Sequence, residues 1–255
     1  MARYFTQSDL DAFKEEHAES ADQAVIENRE IVRDKFFNLH NKKLGAFMES
    51  KELYPHYIPE NLTSDIHPRD ENQGYVNHIK MGYGKSDYDV DTLIKLAGEA
   101  THLSSGFSSS DIDFNTTTQL QLSLDSNFLT VAFYLDHRGW IELINLEKKS
   151  KYRDENIQQL YQLANSAVEL GYTLYLYTEE GPEEYDDCYD FISDLLNLVA
   201  SGEHPAIHIF KCIDLDGDEN EDEYIASYIA EEFDTLLPLY NFISWNSTDN
   251  NYIWI

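Results

Sequence analysis

Residues 118–147 read TQLQLSLDSNFLTVAFYLDHRGWIELINLE, and the hydrophobic pattern of this stretch decides the fold class. Leu120, Leu122 and Leu124 alternate with polar neighbours, the signature of a strand with one buried face. Leu129, Val131, Phe133 and Leu135 repeat that alternation. "DHRG" supplies a short turn, and "WIELINLE" is expected to return as a third strand. The expectation is an antiparallel meander buried on one side.

Upstream, residues 6–50 predict one or two helices, with Ser8 as first cap and Asp11 three residues on. Ile26, Ile31, Val32, Phe36 and Phe37 form the expected apolar stripe, with Arg33 and Lys35 beside it. "YPHYIPENLTSDIHPRDENQG" (54–74), with three prolines and a late glycine, predicts a long loop or boundary. A strand follows in "GYVNHIKMGYG" (74–84), then a helix around "DVDTLIKLAGEA" (89–100) and a serine-rich loop.

Downstream, Asp154 is expected to cap "ENIQQLYQLANSAVELG", which Gly171 stops. "YTLYLY" and "PAIHIFKCI" predict strands. Between them Pro182 is placed in the first turn of a helix running through "EEYDDCYDFISDLLNLVA". Tyr224, Ile225, Tyr228, Ile229, Phe233, Leu236 and Leu237 line one side of the last helix, which Pro238 should kink or end. The terminal "SWNSTDNNYIWI" is expected to add a strand to the sheet. The order of elements predicts an α+β fold: a helical N-terminal segment over residues 1–54 and an α+β core over 55–255, read as one domain overall.

The 255 residues carry 48 Asp and Glu against 18 Lys and Arg, a net charge of −30. Residues 179–234 hold 19 acids and one base, Lys211, whereas the first 55 residues are only −3. Such a block repels nucleic acid and favours basic partners and cations. A general acidity that keeps the surface soluble is the competing explanation. No apolar run is long enough for a membrane span, and no secretory leader is evident. Two cysteines are too few for a disulfide framework, so a cytoplasmic setting is expected.

Particular residues bear on three chemistries. Setting Gly217 at the sixth position of a calcium loop places Asp214, Asp216 and Glu223 well, but puts Cys212 first, and a thiol is a poor ligand for a hard cation. Glu147-Lys148-Lys149, read on the end of a strand with Asp136 upstream, resembles the Glu-x-Lys arrangement of restriction-endonuclease-like nucleases. That resemblance implies magnesium held by Asp136 and Glu147, with Lys149 steadying the attacking water or the phosphate. His204 and His208 lack a companion metal-binding motif, and His40, His56, His78 and His102 read as structural. Neither a phosphate-binding glycine loop nor a nucleophile elbow is present.

"YFTQSDLDAF", "LYPHYIP" and "YIASYIAEEFDTLLPLY" resemble a family of small uncharacterised bacterial α+β proteins. The resemblance implies the fold class and carries over no site. The leading functional expectation is therefore a non-catalytic acidic module, without cofactor or metal, that engages a basic protein surface and blocks a nucleic-acid-binding site. Glu183, Glu184, Asp186, Asp187, Asp216 and Asp218 are its expected contact residues. A magnesium-dependent nuclease and a structural subunit of a larger assembly are the alternatives.

Overall fold

The computed structural model describes residues 2–55, 62–100 and 106–246. It is an α+β fold. The elements in chain order are α1 (Gln7–Asp11), α2 (Gln23–Leu39), α3 (Gly45–Ser50), β1 (Tyr54–Pro55), β2 (His78–Gly84), α4 (Asp87–Glu99), β3 (Gln119–Asp125) and β4 (Leu129–Leu135). They continue with α5 (Trp140–Tyr152), α6 (Asp154–Glu169), β5 (Thr173–Thr178), β6 (Gly181–Tyr185), α7 (Cys188–Ser201), β7 (Ala206–Ile213) and α8 (Ile225–Ile243). The strands form one antiparallel sheet in the order β1-β2-β3-β4-β7-β5-β6. Among the described residues no helix is long and apolar enough to cross a membrane.

Two compact units are built from interleaved segments: residues 1–83, 121–131 and 212–233 form the first, and 84–120, 132–211 and 234–255 the second. The first unit therefore continues across the boundary expected at position 55. Of the pieces that carry the bacterial resemblance, "YFTQSDLDAF" spans α1 and "YIASYIAEEFDTLLPLY" falls almost wholly in α8. Most of "LYPHYIP", together with His56, His102 and the last nine residues of the expected terminal strand, lies outside the described residues.

Several expectations needed correction. The first helix is boxed by Thr6 rather than Ser8: the Thr6 backbone N–H and hydroxyl both donate to Asp9 Oδ2, at 2.7 and 2.9 Å. Lys35 closes on the same oxygen at 2.6 Å, so Asp9 is buried but paired. Ile31 is 54% exposed, and the true inner stripe of α2 is Ile26, Arg29, Val32, Phe36 and Leu39. Arg29 is fully buried. Its guanidinium donates to the carbonyls of Ala12, Ile66, His17 and Val76 at 2.7–3.2 Å, stitching the start of the chain to the segment before β2.

Residues 140–147 are not a third strand. They open α5, in which every residue from Trp140 to Leu146 is buried. A helix covered on all sides has no polar face to show its period, so its sequence reads like a buried strand. β3 and β4 likewise lie inside the sheet, and Gln119, Gln121, Thr130 and Ala132 are buried along with the leucines. The one-sided burial inferred from alternation is therefore two-sided.

Pro182 sits in β6, an edge strand that can spare the missing N–H, and the following helix starts only at Cys188. α8 continues through Pro238 to Ile243, where burial of Leu239, Tyr240, Phe242 and Ile243 offsets the lost helical hydrogen bond. Gly171 ends α6 in the left-handed region, φ +87°, as expected.

Two buried features fix α5 in the second unit. Lys85 and Glu142 form an ion pair at 2.8 Å with both side chains almost wholly enclosed. Glu142 also accepts from the Thr118 and Trp245 backbone N–H groups, each at 2.8 Å, and from the Thr118 hydroxyl at 3.2 Å. Burial is the largest influence and would lower the Lys85 pKa, but the charge and hydrogen bond of Glu142, together with Tyr240 and Asp89, outweigh it and the net shift is upward. Gly139, just before the helix, packs so closely that a Cβ would stand 2.3 Å from the Thr116 carbonyl oxygen and 2.6 Å from Leu135 Cδ1. Because the first obstacle is backbone, Gly139→Ala is expected to cost about 1–3 kcal/mol, read as a lowered urea midpoint with unchanged slope. An unshifted midpoint would show that the turn can open without penalty.

Candidate functional site

In β5 the leucines and tyrosines divide between the two faces of the sheet. Leu174 and Leu176 are fully buried, on the side where α7 packs, and Tyr175 and Tyr177 point the other way. In the antiparallel register Tyr175 stands opposite His208 of β7 and Glu184 of β6. The result is a ladder of rings. His208 stacks on Phe210 at 4.7 Å, Tyr175 lies 5.6 Å from Phe210, and Tyr177 lies 6.2 Å from both Tyr175 and His208. Tyr134 of β4 meets His208 edge-on at 5.8 Å. Tyr177, at the end of the ladder, is 41% exposed.

On the α7 side lies an acidic groove of about 660 Å³. Glu183 stands opposite Leu176, which turns it toward α7. Glu179, Glu180, Glu183, Asp194 and Glu203 line the groove, and no Lys or Arg does so among the described residues. The Tyr185 hydroxyl donates to Glu183 and Asp194 at 3.0 and 3.2 Å, fixing two carboxylates about one phenol. Burial, then these acceptors, push the Tyr185 pKa well up. Asp187 caps α7, accepting from the Tyr189 and Asp190 backbone N–H groups at 2.6 and 3.3 Å.

A pocket of about 350 Å³ shares Thr178, Glu179, Leu198 and Glu203 with the groove. Phe107, His137, Tyr177 and His204 also line it. The Phe107 ring lies 5.6 Å from His137 and 5.8 Å from His204, and Trp140 lies 6.5 Å from His204. Both His204 ring nitrogens are shielded from solvent and have no hydrogen-bond partner among the described residues. Burial, then the neighbouring His137, lower its pKa, so the imidazole is neutral at physiological pH.

The residues singled out from sequence do not gather in one place. Glu183, Glu184, Asp186 and Asp187 are exposed in the second unit, along β6 and the start of α7. Asp216 and Asp218 belong to the first unit. There the Arg3 guanidinium donates to the Gly217 carbonyl at 2.5 Å and to the Asp216 carbonyl. The Asn220 side chain bonds the Phe5 backbone N–H and carbonyl, at 3.0 and 2.7 Å. The loop after β7 is thus tied to the start of the chain through its backbone, while the Asp216 and Asp218 carboxylates face solvent. Among the described residues, no three His, Cys, Asp or Glu side chains are grouped to hold a metal.

Asp136, Glu147 and Lys149 each engage a different partner. Asp136 accepts from the Tyr134 hydroxyl at 3.0 Å and from the Arg138 backbone N–H and Nε at 2.9 and 2.8 Å. Burial would raise its pKa, but Arg138 outweighs that and holds it low. Glu147 pairs with Lys151 at 3.7 Å. Lys149 donates to the Phe242 carbonyl at 3.1 Å and sits 4.5 Å over the Phe242 ring. On helix α5, Glu147 and Lys149 point to opposite sides, unlike the same-face placement a strand would give.

Sequence reasoning missed the aromatic ladder, His204 as a pocket wall, and Glu142 and Arg29 as the buried charges. An acid inside "WIELINLE" and a basic residue on the α2 stripe were the available signals for the last two. No protein-family model matches the chain, and no curated protein matches it.

Proposed function

We propose that the chain is a non-catalytic module whose acidic C-terminal half docks on a basic protein surface of the kind that binds nucleic acid, occupying it in place of phosphates. The observation that carries this reading is the groove between β6 and α7, lined by five carboxylates, Glu183 on β6, Asp194 on α7, Glu179 and Glu180 in the β5–β6 turn and Glu203 just after α7, without a lining base among the described residues. Carboxylates held at fixed spacing meet a basic surface with less ordering cost than a flexible acidic tail. Tyr177, the end ring of the ladder, lines the pocket that adjoins the groove and adds a π face, which attracts guanidinium and ammonium groups. Glu183, Glu184, Asp186 and Asp187 are its first contact residues.

The combined substitution Glu183→Gln, Glu184→Gln, Asp186→Asn and Asp187→Asn removes four charges with little change of size, and asparagine retains capping ability at position 187. Binding to a labelled lysine- and arginine-rich peptide, followed by fluorescence anisotropy, is expected to weaken as salt rises. The variant should bind at least about tenfold more weakly at low salt and show a shallower salt dependence. The unmodified protein should also displace duplex DNA from that peptide. Equal binding by both proteins at low and physiological salt would leave the acidity as a solubility feature and favour a structural role.

A further inference from the structure

We infer that the pocket walled by Phe107, Tyr177, His137 and His204 receives an arginine side chain of the basic partner, an assignment that rests on the docking function proposed above. Four of its lining residues carry aromatic rings, and Glu179 and Glu203, which also line the acidic groove, are among the others. That combination excludes anions and gives a purely apolar ligand no use for the carboxylates.

Between the two common cations, arginine fits the walls better. A guanidinium is planar, stacks on aromatic rings and is weakly hydrated, whereas an ammonium holds its water tightly. Its several N–H groups can serve a carboxylate in parallel while one face lies on Phe107 or Tyr177. His204 supplies an independent indication. As a neutral imidazole it adds no positive charge to the pocket, and neither nitrogen has a hydrogen-bond partner among the described residues.

The probes are oligo-arginine and oligo-lysine of equal length and charge, bound to the full chain at low salt. Oligo-arginine is expected to bind about tenfold more tightly. Phe107→Ala should bring that ratio close to one by weakening oligo-arginine much more than oligo-lysine. Tyr177→Leu, at a partly exposed ring, should also reduce the ratio and serves as the second variant if Phe107→Ala does not fold. The His204 ring proton signals should shift on adding oligo-arginine and much less with oligo-lysine. A ratio near one in the unmodified protein, or one that survives both substitutions, overturns the arginine pocket while leaving acidic docking intact. Failure of both peptides to bind overturns the docking function itself, and this inference with it.

Discussion

Replacing Glu142 with glutamine is expected to lower the unfolding free energy by about 3–5 kcal/mol, because it leaves the Lys85 ammonium buried without its counter-charge. The enclosed pair is viable only because its remaining hydrogen-bonding capacity is filled: Lys85 also donates to Thr118 Oγ1 at 3.0 Å and to the Ser244 hydroxyl, and it lies 5.6 Å over the Tyr240 ring. Glutamine keeps the shape and most of the acceptor geometry, so the loss measures the charge rather than a cavity. Urea unfolding followed by circular dichroism reads it directly. The double variant Lys85→Met with Glu142→Gln should recover part of the loss, since it removes the buried ammonium while the glutamine oxygen can still accept from the backbone. A single variant within about 1 kcal/mol of the unmodified protein would mean that the pair behaves as a solvated one.

Arg29→Met should be of similar magnitude, about 3–5 kcal/mol, for a different reason. Methionine preserves much of the apolar stem but leaves the carbonyls of Ala12, His17, Ile66 and Val76 without the donor that serves them. The damage should be local first. The Val76 backbone N–H, which donates to the Ala18 carbonyl at 2.9 Å, is expected to exchange with solvent faster than amides of α7. Arg29→Lys should rescue only part of the loss, because a single ammonium cannot reproduce the planar fork that reaches four carbonyls. Full rescue by lysine would show that the charge, and not the fork, holds this region.

These two buried charges also mark how far local pattern reaches. The α2 stripe reads correctly at Ile26, Val32 and Phe36, and Arg29 stands on the same face at helical spacing. Only the four converging carbonyls explain why a charged group is stable there. Asp9 is similar: its place three residues after Thr6 is a helix-start signal, while its partner Lys35 comes from another helix.

The sequence by itself determined the α+β class, the places of β2, β3, β4, β5 and β7, the stop at Gly171 and the concentration of charge after residue 179. Each is set by side-chain period, by backbone preference or by composition, all of them properties of neighbouring residues. Only the tertiary structure decided that residues 140–147 are helical, that β3 and β4 are buried on both faces, and that Pro182 lies on an edge strand. Those outcomes depend on what covers a segment from outside it, and complete burial removes the polar face that would otherwise reveal the period. The candidate site divides in the same way. Its carboxylates are legible as a charged run, but the groove and the aromatic ladder exist only because strand pairing sets Tyr175 opposite His208 and Glu183 opposite Leu176. Register is a relation between distant residues, and no local signal carries it.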